Sequence, residues 1–179
     1  MKPKPPFNIN AAIRSAIRRV FSRSPMVRDT MMKVRREVPK FNKDGTRAKK
    51  DAVQYLCGVC NEYVSSTKIA VDHKIPVIDV DKGFVDWNTF VDRVFCDLSN
   101  LQVICDPCHQ AKTNSERFER QFKRDIAVID ELEKSNDMVG IAIAVKKISK
   151  KRLSSYPEDI RARVDALKQK IRGIKIPKK

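Results

Sequence analysis

Cys57-Gly58-Val59-Cys60 and Cys105-Asp106-Pro107-Cys108-His109 bracket the stretch on which the reading of this 179-residue chain turns. Two C-x-x-C pairs are the usual means of bringing four thiolates to one tetrahedral zinc, each sulfur about 2.3 Å from the metal. The gap is unusual. It holds 44 residues, Asn61 to Ile104, against the roughly 15 to 20 that a compact zinc ribbon needs. A folded insert is therefore expected between the two pairs.

His73 and His109 are the only histidines of the chain, and both fall inside or against this cysteine frame. His73 ends a β-like run in Val71-Asp72-His73-Lys74-Ile75-Pro76. Asn100 opens a second run, Asn100-Leu101-Gln102-Val103-Ile104, which leads into Cys105-x-x-Cys108-His109 and then Lys112-Thr113. With Cys57-x-x-Cys60 these residues resemble the HNH endonucleases of the ββα-metal type, the phage versions in particular. The stretch from Gly83-Phe84-Val85-Asp86-Trp87 to Phe95-Cys96 is similar to a loop of those phage proteins. The resemblance covers about a third of the chain.

The resemblance implies roles. His73 matches the general base that takes a proton from water, Asp72 and His109 match the ligands of a divalent cation, Mg²⁺ or Mn²⁺, and Asn100 matches the residue that braces the loop and orients the histidine. The chemistry asks for these types independently. Phosphodiester hydrolysis needs a base that works near neutral pH and a cation to offset charge on the phosphate and the leaving 3′ oxygen. Asn100 and His109 are nine positions apart, so one strand and one helical turn can fold back over the Asp72-His73 strand. At the first turn of that helix the positive end of the dipole favours a neutral His109, and the same end favours a phosphate. One geometric obstacle stands: neighbouring strand residues point to opposite faces, so Asp72 and His73 share a site only if the strand ends or twists there. Four thiolates leave no open coordination position, so the zinc is structural and the catalytic cation is a second, separate ion.

Charge divides the chain the same way. The net +16 comes from a surplus of +11 over residues 1–56 and +8 over 114–179, with −3 between them. An acidic centre suits cations, and basic flanks suit a polyanion. Arg14, Arg18, Arg35, Lys49, Lys50 and Lys112 are the candidate phosphate contacts. The alternative is that these charges only solvate exposed helix faces. The start, Met1-Lys2-Pro3-Lys4-Pro5-Pro6, lacks the apolar core of a signal peptide, so a cytoplasmic setting is expected, host cytoplasm if the chain is phage-encoded. There paired cysteines stay reduced and serve as metal ligands. The longest apolar run, Met138 to Val145, is too short to span a bilayer, and no membrane role is expected. Cys96, beside Phe90, Val91, Val94 and Phe95, reads as a small buried hydrophobe.

Residues 1–7 are Pro/Lys-rich and expected to be disordered. Ile13, Ile17, Val20 and Phe21 predict a basic amphipathic helix. Ser24-Pro25 starts a second helix whose stripe Val27, Met31, Val34 and Val38 is closed by Pro39. Asn42-Lys43-Asp44-Gly45 signals a turn before a Lys-rich linker to Lys50. Val53, Tyr55 and Cys57 alternate as a strand, Ile69 to His73 form the next, and Leu101 to Ile104 another. Asp86 caps a short helix, and Asp106-Pro107 opens the helix of Cys108, His109 and Lys112. Thr113-x-x-Glu116 predicts a fresh helix bearing Phe118, Phe122, Ile126, Ile129 and Leu132. Ile141 to Val145 is read as helix. Pro157 precedes a last helix with Ile160, Val164, Leu167 and Ile171 on one face and Gly173 as its stop.

The expected architecture is α+β. A small ββα-metal (HNH) core stapled by a four-cysteine zinc occupies residues 51–113, between a basic helical N-terminal arm, 1–50, and a basic helical extension, 114–179. The expected activity is metal-dependent hydrolysis of DNA, most of all double-stranded DNA, giving 5′-phosphate and 3′-hydroxyl ends. The competing readings are an inert zinc-stapled nucleic-acid-binding protein and an RNA-cleaving nuclease on the same scaffold. Residues 1–50 admit two roles: a detachable arm that grips phosphates, or a structural layer packed through the Ile13-Ile17-Phe21 and Val27-Met31-Val34 stripes.

Overall fold

The computed structural model describes residues 6–174, so most of the segment expected to be disordered lies outside the described residues. The chain forms two compact units, Met1–Asn114 and Ser115–Lys179.

In the first unit, α1 (Ile9–Phe21) is capped by Asn8, whose side chain accepts the Ala11 amide, and α2 (Pro25–Met32) begins with proline at its first position. The second helix is shorter than its apolar spacing predicts. It stops at Met32, and Arg35–Val38 is a strand, β1, paired antiparallel with β2 (Ala52–Leu56) from Arg35↔Tyr55 to Val38↔Ala52. Valines four apart fit either a helix face or, when a partner strand is near, a half-buried ribbon. The ladder to β2 wins because it satisfies backbone groups along the whole segment. β2 pairs on its other side with β3 (Tyr63–Ser65), giving the order β1-β2-β3. The segment expected as a helical arm thus carries a strand of the same unit as the core.

A separate antiparallel ribbon joins β4 (Ile69–His73) to β5 (Leu101–Cys105), in register from Ile69↔Cys105 to His73↔Leu101. Between them lies α3 (Trp87–Val94), capped by Asp86, whose carboxylate accepts the Thr89 amide at 2.8 Å. β5 runs directly into α4 (Asp106–Lys134), so ribbon and helix make a ββα arrangement. No break occurs at Thr113. The capping-box pattern lacks a glycine or proline to interrupt the i→i−4 ladder, and the 29-residue helix continues through it.

Two clusters close this unit. Phe21, Phe90, Val94 and Leu101 are buried together with Ile17, Val27, Val71, Trp87 and Cys96 packed against them. Cys57, Ile104 and Cys105 form the other, with Val64, Ala70 and Cys108. Ile17 and Phe21 of α1 and Val27 of α2 are therefore core contacts, whereas Ile13 of the α1 stripe is exposed. Cys96 is a packing residue.

The second unit is helical. α4 contributes its later turns, followed by α5 (Met138–Lys147), the short α6 (Lys150–Leu153) and α7 (Glu158–Lys170). Ile129, Ile141, Val145, Ile148, Leu153, Tyr156, Val164 and Leu167 form its buried centre. Asp137 caps α5 through the Gly140 amide. A Cβ at Gly140 would meet Asp137 Oδ2 at 2.3 Å and Leu132 Cδ2 at 2.6 Å, so only glycine admits this approach. Tyr156 donates its hydroxyl to Asp125, which Arg152 also pairs at 3.0 Å. Among the described residues, no helix is long and apolar enough to cross a membrane.

Candidate functional site

The sulfurs of Cys57, Cys60, Cys105 and Cys108 lie within 4.8 Å of one another. A tetrahedral zinc with bonds of about 2.3 Å requires sulfurs roughly 3.8 Å apart, and Cys60 and Cys105 Sγ are separated by 3.9 Å. The four residues fit the ion. Local sequence builds each half. Cys57 follows the last residue of β2, the chain reverses through Asn61, which adopts φ 58°, and the Asn61 amide donates to the Cys57 carbonyl at 3.0 Å. The Gly58 amide donates to the Val103 carbonyl at 2.8 Å, tying this turn to β5, while the Cys105 amide donates to Cys57 Sγ at 3.4 Å. The second pair straddles the junction of β5 and α4.

The electrostatics ask for a cation. Burial pushes the Cys57 thiol up, but the amides of Cys60, Cys105 and Val59 outweigh it and hold the group down at about 6. Cys108 is pushed up to about 12, first by its contact with Cys105 and then by burial. The Cys57 thiolate forms readily whereas Cys60 and Cys108 resist, because negative sulfurs at this spacing repel without a metal among them. Among the described residues, no other group of three or more His, Cys, Asp or Glu side chains brings its ligand atoms together.

The second constellation lies at the far end of the β4–β5 ribbon. His73 is 8 % exposed. Its Nε2 is 2.9 Å from the Val94 carbonyl, and the Phe21 ring lies 4.8 Å from the imidazole, centroid to centroid. A carbonyl only accepts, so Nε2 carries the proton and Nδ1 is the nitrogen with a free lone pair in the neutral ring. Phe21 closes α1 and Val94 closes α3; both hold the ring from one face of the ribbon.

Asp72 takes the other face. Its Oδ2 pairs with Lys112 Nζ at 2.8 Å, and the same ammonium donates to the His73 carbonyl at 2.9 Å. Lys112, expected on a phosphate, is engaged within the protein by these two oxygens. His109 is half-buried one helical turn before Lys112, which puts it on the α4 face that meets Asp72. The strand ends at His73, so the two faces can meet only beyond the His73↔Leu101 pair.

Asn100 stands at that end. Its Oδ1 accepts the Ile75 amide at 2.9 Å, its carbonyl accepts the Lys74 amide at 2.7 Å, and its Nδ2 reaches Cys96 Sγ at 3.4 Å. It locks the two residues that follow His73. These contacts reach across the loop that follows β4 and exceed a local Asx turn. The Val94 carbonyl had no signal in the sequence, since every residue carries one.

The other expected phosphate contacts are spread over the surface of the unit. Arg14 lies over the Phe84 ring at 5.2 Å and Arg18 over Phe90 at 5.9 Å, along an open groove of about 500 Å³ on α1. Arg35 is paired with Glu37. Lys49 and Lys50 are exposed just before β2. Compared with protein-family models, curated proteins and solved structures, the chain matches none.

Proposed function

We propose that the chain is a metal-dependent endonuclease of the HNH type, hydrolysing DNA phosphodiester bonds beside a structural zinc. The observation that carries this reading is the bracing of His73: Nε2 is committed to the Val94 carbonyl and the next two residues are held by Asn100. A histidine fixed in this way offers Nδ1 alone as the atom that accepts a proton from water. Asp72 and His109 are the residues to hold a divalent ion. The Asp72 carboxylate is a donor suited to Mg²⁺ or Mn²⁺, with the imidazole as a second ligand, and an ion there would take the place that the Lys112 ammonium now holds. When bound, such an ion offsets charge on the phosphate and the leaving oxygen. Asn100 keeps the ribbon end rigid, and the Phe21 ring excludes water from one side of the imidazole.

The alternative is an inert zinc-stapled nucleic-acid-binding protein. What favours it is that Asp72 and His73 leave β4 on opposite faces, with Asp72 already neutralised by Lys112. Supercoiled plasmid with Mg²⁺ or Mn²⁺ separates the two. The nuclease nicks or linearises it, leaving 5′-phosphate and 3′-hydroxyl ends, and His73→Ala abolishes this. Equal cleavage by the wild type and His73→Ala, or no cleavage of DNA by either, sinks the nuclease reading. An RNA substrate in the same assay tests the RNA-cleaving alternative.

A further inference from the structure

Residues between β1 and β2, which the sequence presents as a turn and a Lys-rich linker, form an ordered finger. The Ala48 amide donates to the Lys40 carbonyl at 2.8 Å, the Asn42 amide to the Thr46 carbonyl at 2.8 Å and the Gly45 amide to the Asn42 carbonyl at 3.1 Å, with Phe41 bridged to Arg47. Residues 40–48 thus form a short antiparallel hairpin of their own, its Phe41↔Arg47 bridge two residues out of register with the Val38↔Ala52 pair that ends the β1–β2 ladder. The tip is fixed by side chains as well: Asp44 Oδ1 accepts the Thr46 amide at 2.9 Å and the Thr46 hydroxyl at 2.6 Å, and Asn42 Nδ2 donates to Thr46 Oγ1 at 3.0 Å. Gly45 takes φ +83°, and a Cβ there meets nothing within 4 Å, so the tip points into open space.

The finger's composition is lopsided. Lys40, Lys43, Arg47, Lys49 and Lys50 stand against two acids, Asp44 and Asp51, and Arg47 pairs with Asp51 at 3.3 Å. The Asp44 carboxylate is spent on Thr46, which holds its pKa below the usual range, through the hydroxyl first and then the amide. Amid these charges Phe41 is 62 % exposed. The ring and the lysines beside it together suit a partner that offers both phosphates and apolar surface.

We propose that this finger is a duplex-DNA grip, a reading that rests on the nuclease proposal and locates its substrate contact. The major groove, about 12 Å wide, admits a two-stranded β-ribbon. Lys43, Lys49 and Lys50 take the flanking phosphates, and Phe41 lies against the thymine methyl groups that the groove displays.

The test is binding of the full chain to a labelled duplex across a salt series, without added divalent metal so that nothing is cut. Lys43→Ala/Lys49→Ala/Lys50→Ala should keep the parent melting temperature and flatten the slope of log affinity against log salt by about 2 to 3 units, since each neutralised phosphate contributes roughly 0.9. Phe41→Ala should weaken binding about 5- to 30-fold at fixed salt and leave the slope alone, the size of one lost apolar contact. Uracil in place of thymine should weaken the parent and not Phe41→Ala; an equal effect on both takes the ribbon out of the major groove. A triple variant with the parent's affinity and slope overturns the finger while leaving the nuclease reading intact. Conversely, loss of binding in these variants with no cleavage by the parent keeps the finger and removes the nuclease. Tighter binding to an A-form RNA duplex of the same sequence overturns the choice of DNA.

Discussion

The four cysteines converge sulfur on sulfur, whereas His73 and Asp72, neighbours on one strand, each reach for a different part of the protein. The first arrangement is built from two local turns, and every ligand meets the other three. The second is assembled from α1, α3, α4 and the loop end of β5, and His73, Asp72 and Asn100 each already reach a different protein group. A closed ligand set stores folding free energy. A distributed one positions groups whose use depends on what arrives.

That contrast breaks most visibly at the metal. Cys57→Ser should lose zinc and cooperative unfolding, because structural zinc contributes on the order of 10 kcal/mol, as much as a whole domain's stability. Zinc content and thermal unfolding with and without a chelator check this; a zinc-free protein with an unchanged melt breaks the comparison. Acid should act in the same direction. The folded pKa of Cys57, about 6, lies below the roughly 8.5 of a free thiol, so its stabilisation is full above the unfolded value and disappears as pH falls through the folded one. Zinc affinity measured down that range reads it, since protons compete with the ion for the thiolates.

At the distributed site the effects are smaller and graded. Phe21→Ala removes a buried ring from the His73 side of the ribbon and should cost about 3 to 5 kcal/mol in denaturant unfolding. Deleting residues 1–50 should accordingly give insoluble protein rather than a truncated core that still cuts. His73→Ala leaves the Val94 carbonyl without its donor and should cost about 1 to 3 kcal/mol while zinc stays bound. Asn100→Ala, which frees the Ile75 amide to water, should cost about 1 kcal/mol. Smallest is Gly58→Ala at the zinc site. Its Cβ would sit 3.4 Å from Gln102 Oε1, a side chain able to give way, so about 0.5 kcal/mol or less is expected. A larger loss there than at Asn100 would reverse the ranking of the two sites' tolerance.

How legible each site was follows from the same contrast. Both cysteine pairs, Asp86 as a cap and Ile69–His73 as a strand are local patterns, and each reappears in the structure within a residue or two. β1 was not legible, because Val34 and Val38 keep helical spacing and only the distant β2 makes them a strand. Nor was the unbroken α4, since a capping box describes a helix start without forbidding a helix interior. At the His73 site the residue types could be named in advance. Their partners could not: the Val94 carbonyl is a backbone atom 21 positions away, and Lys112 turned to Asp72 only once α4 packed on the ribbon.

The sulfur cluster also bears on the order in which the chain folds. Between Cys60 and Cys105 lie β3, β4, α3 and β5, and bringing the ends of such a 44-residue loop together costs on the order of 3 kcal/mol of chain entropy. A metal ion that clips the loop shut early turns the β4–β5 pairing from a long-range search into a short one. The speed of refolding should therefore rise with free zinc until the ion is saturating, with the metal acting as a nucleus around which the Phe21 layer condenses afterwards.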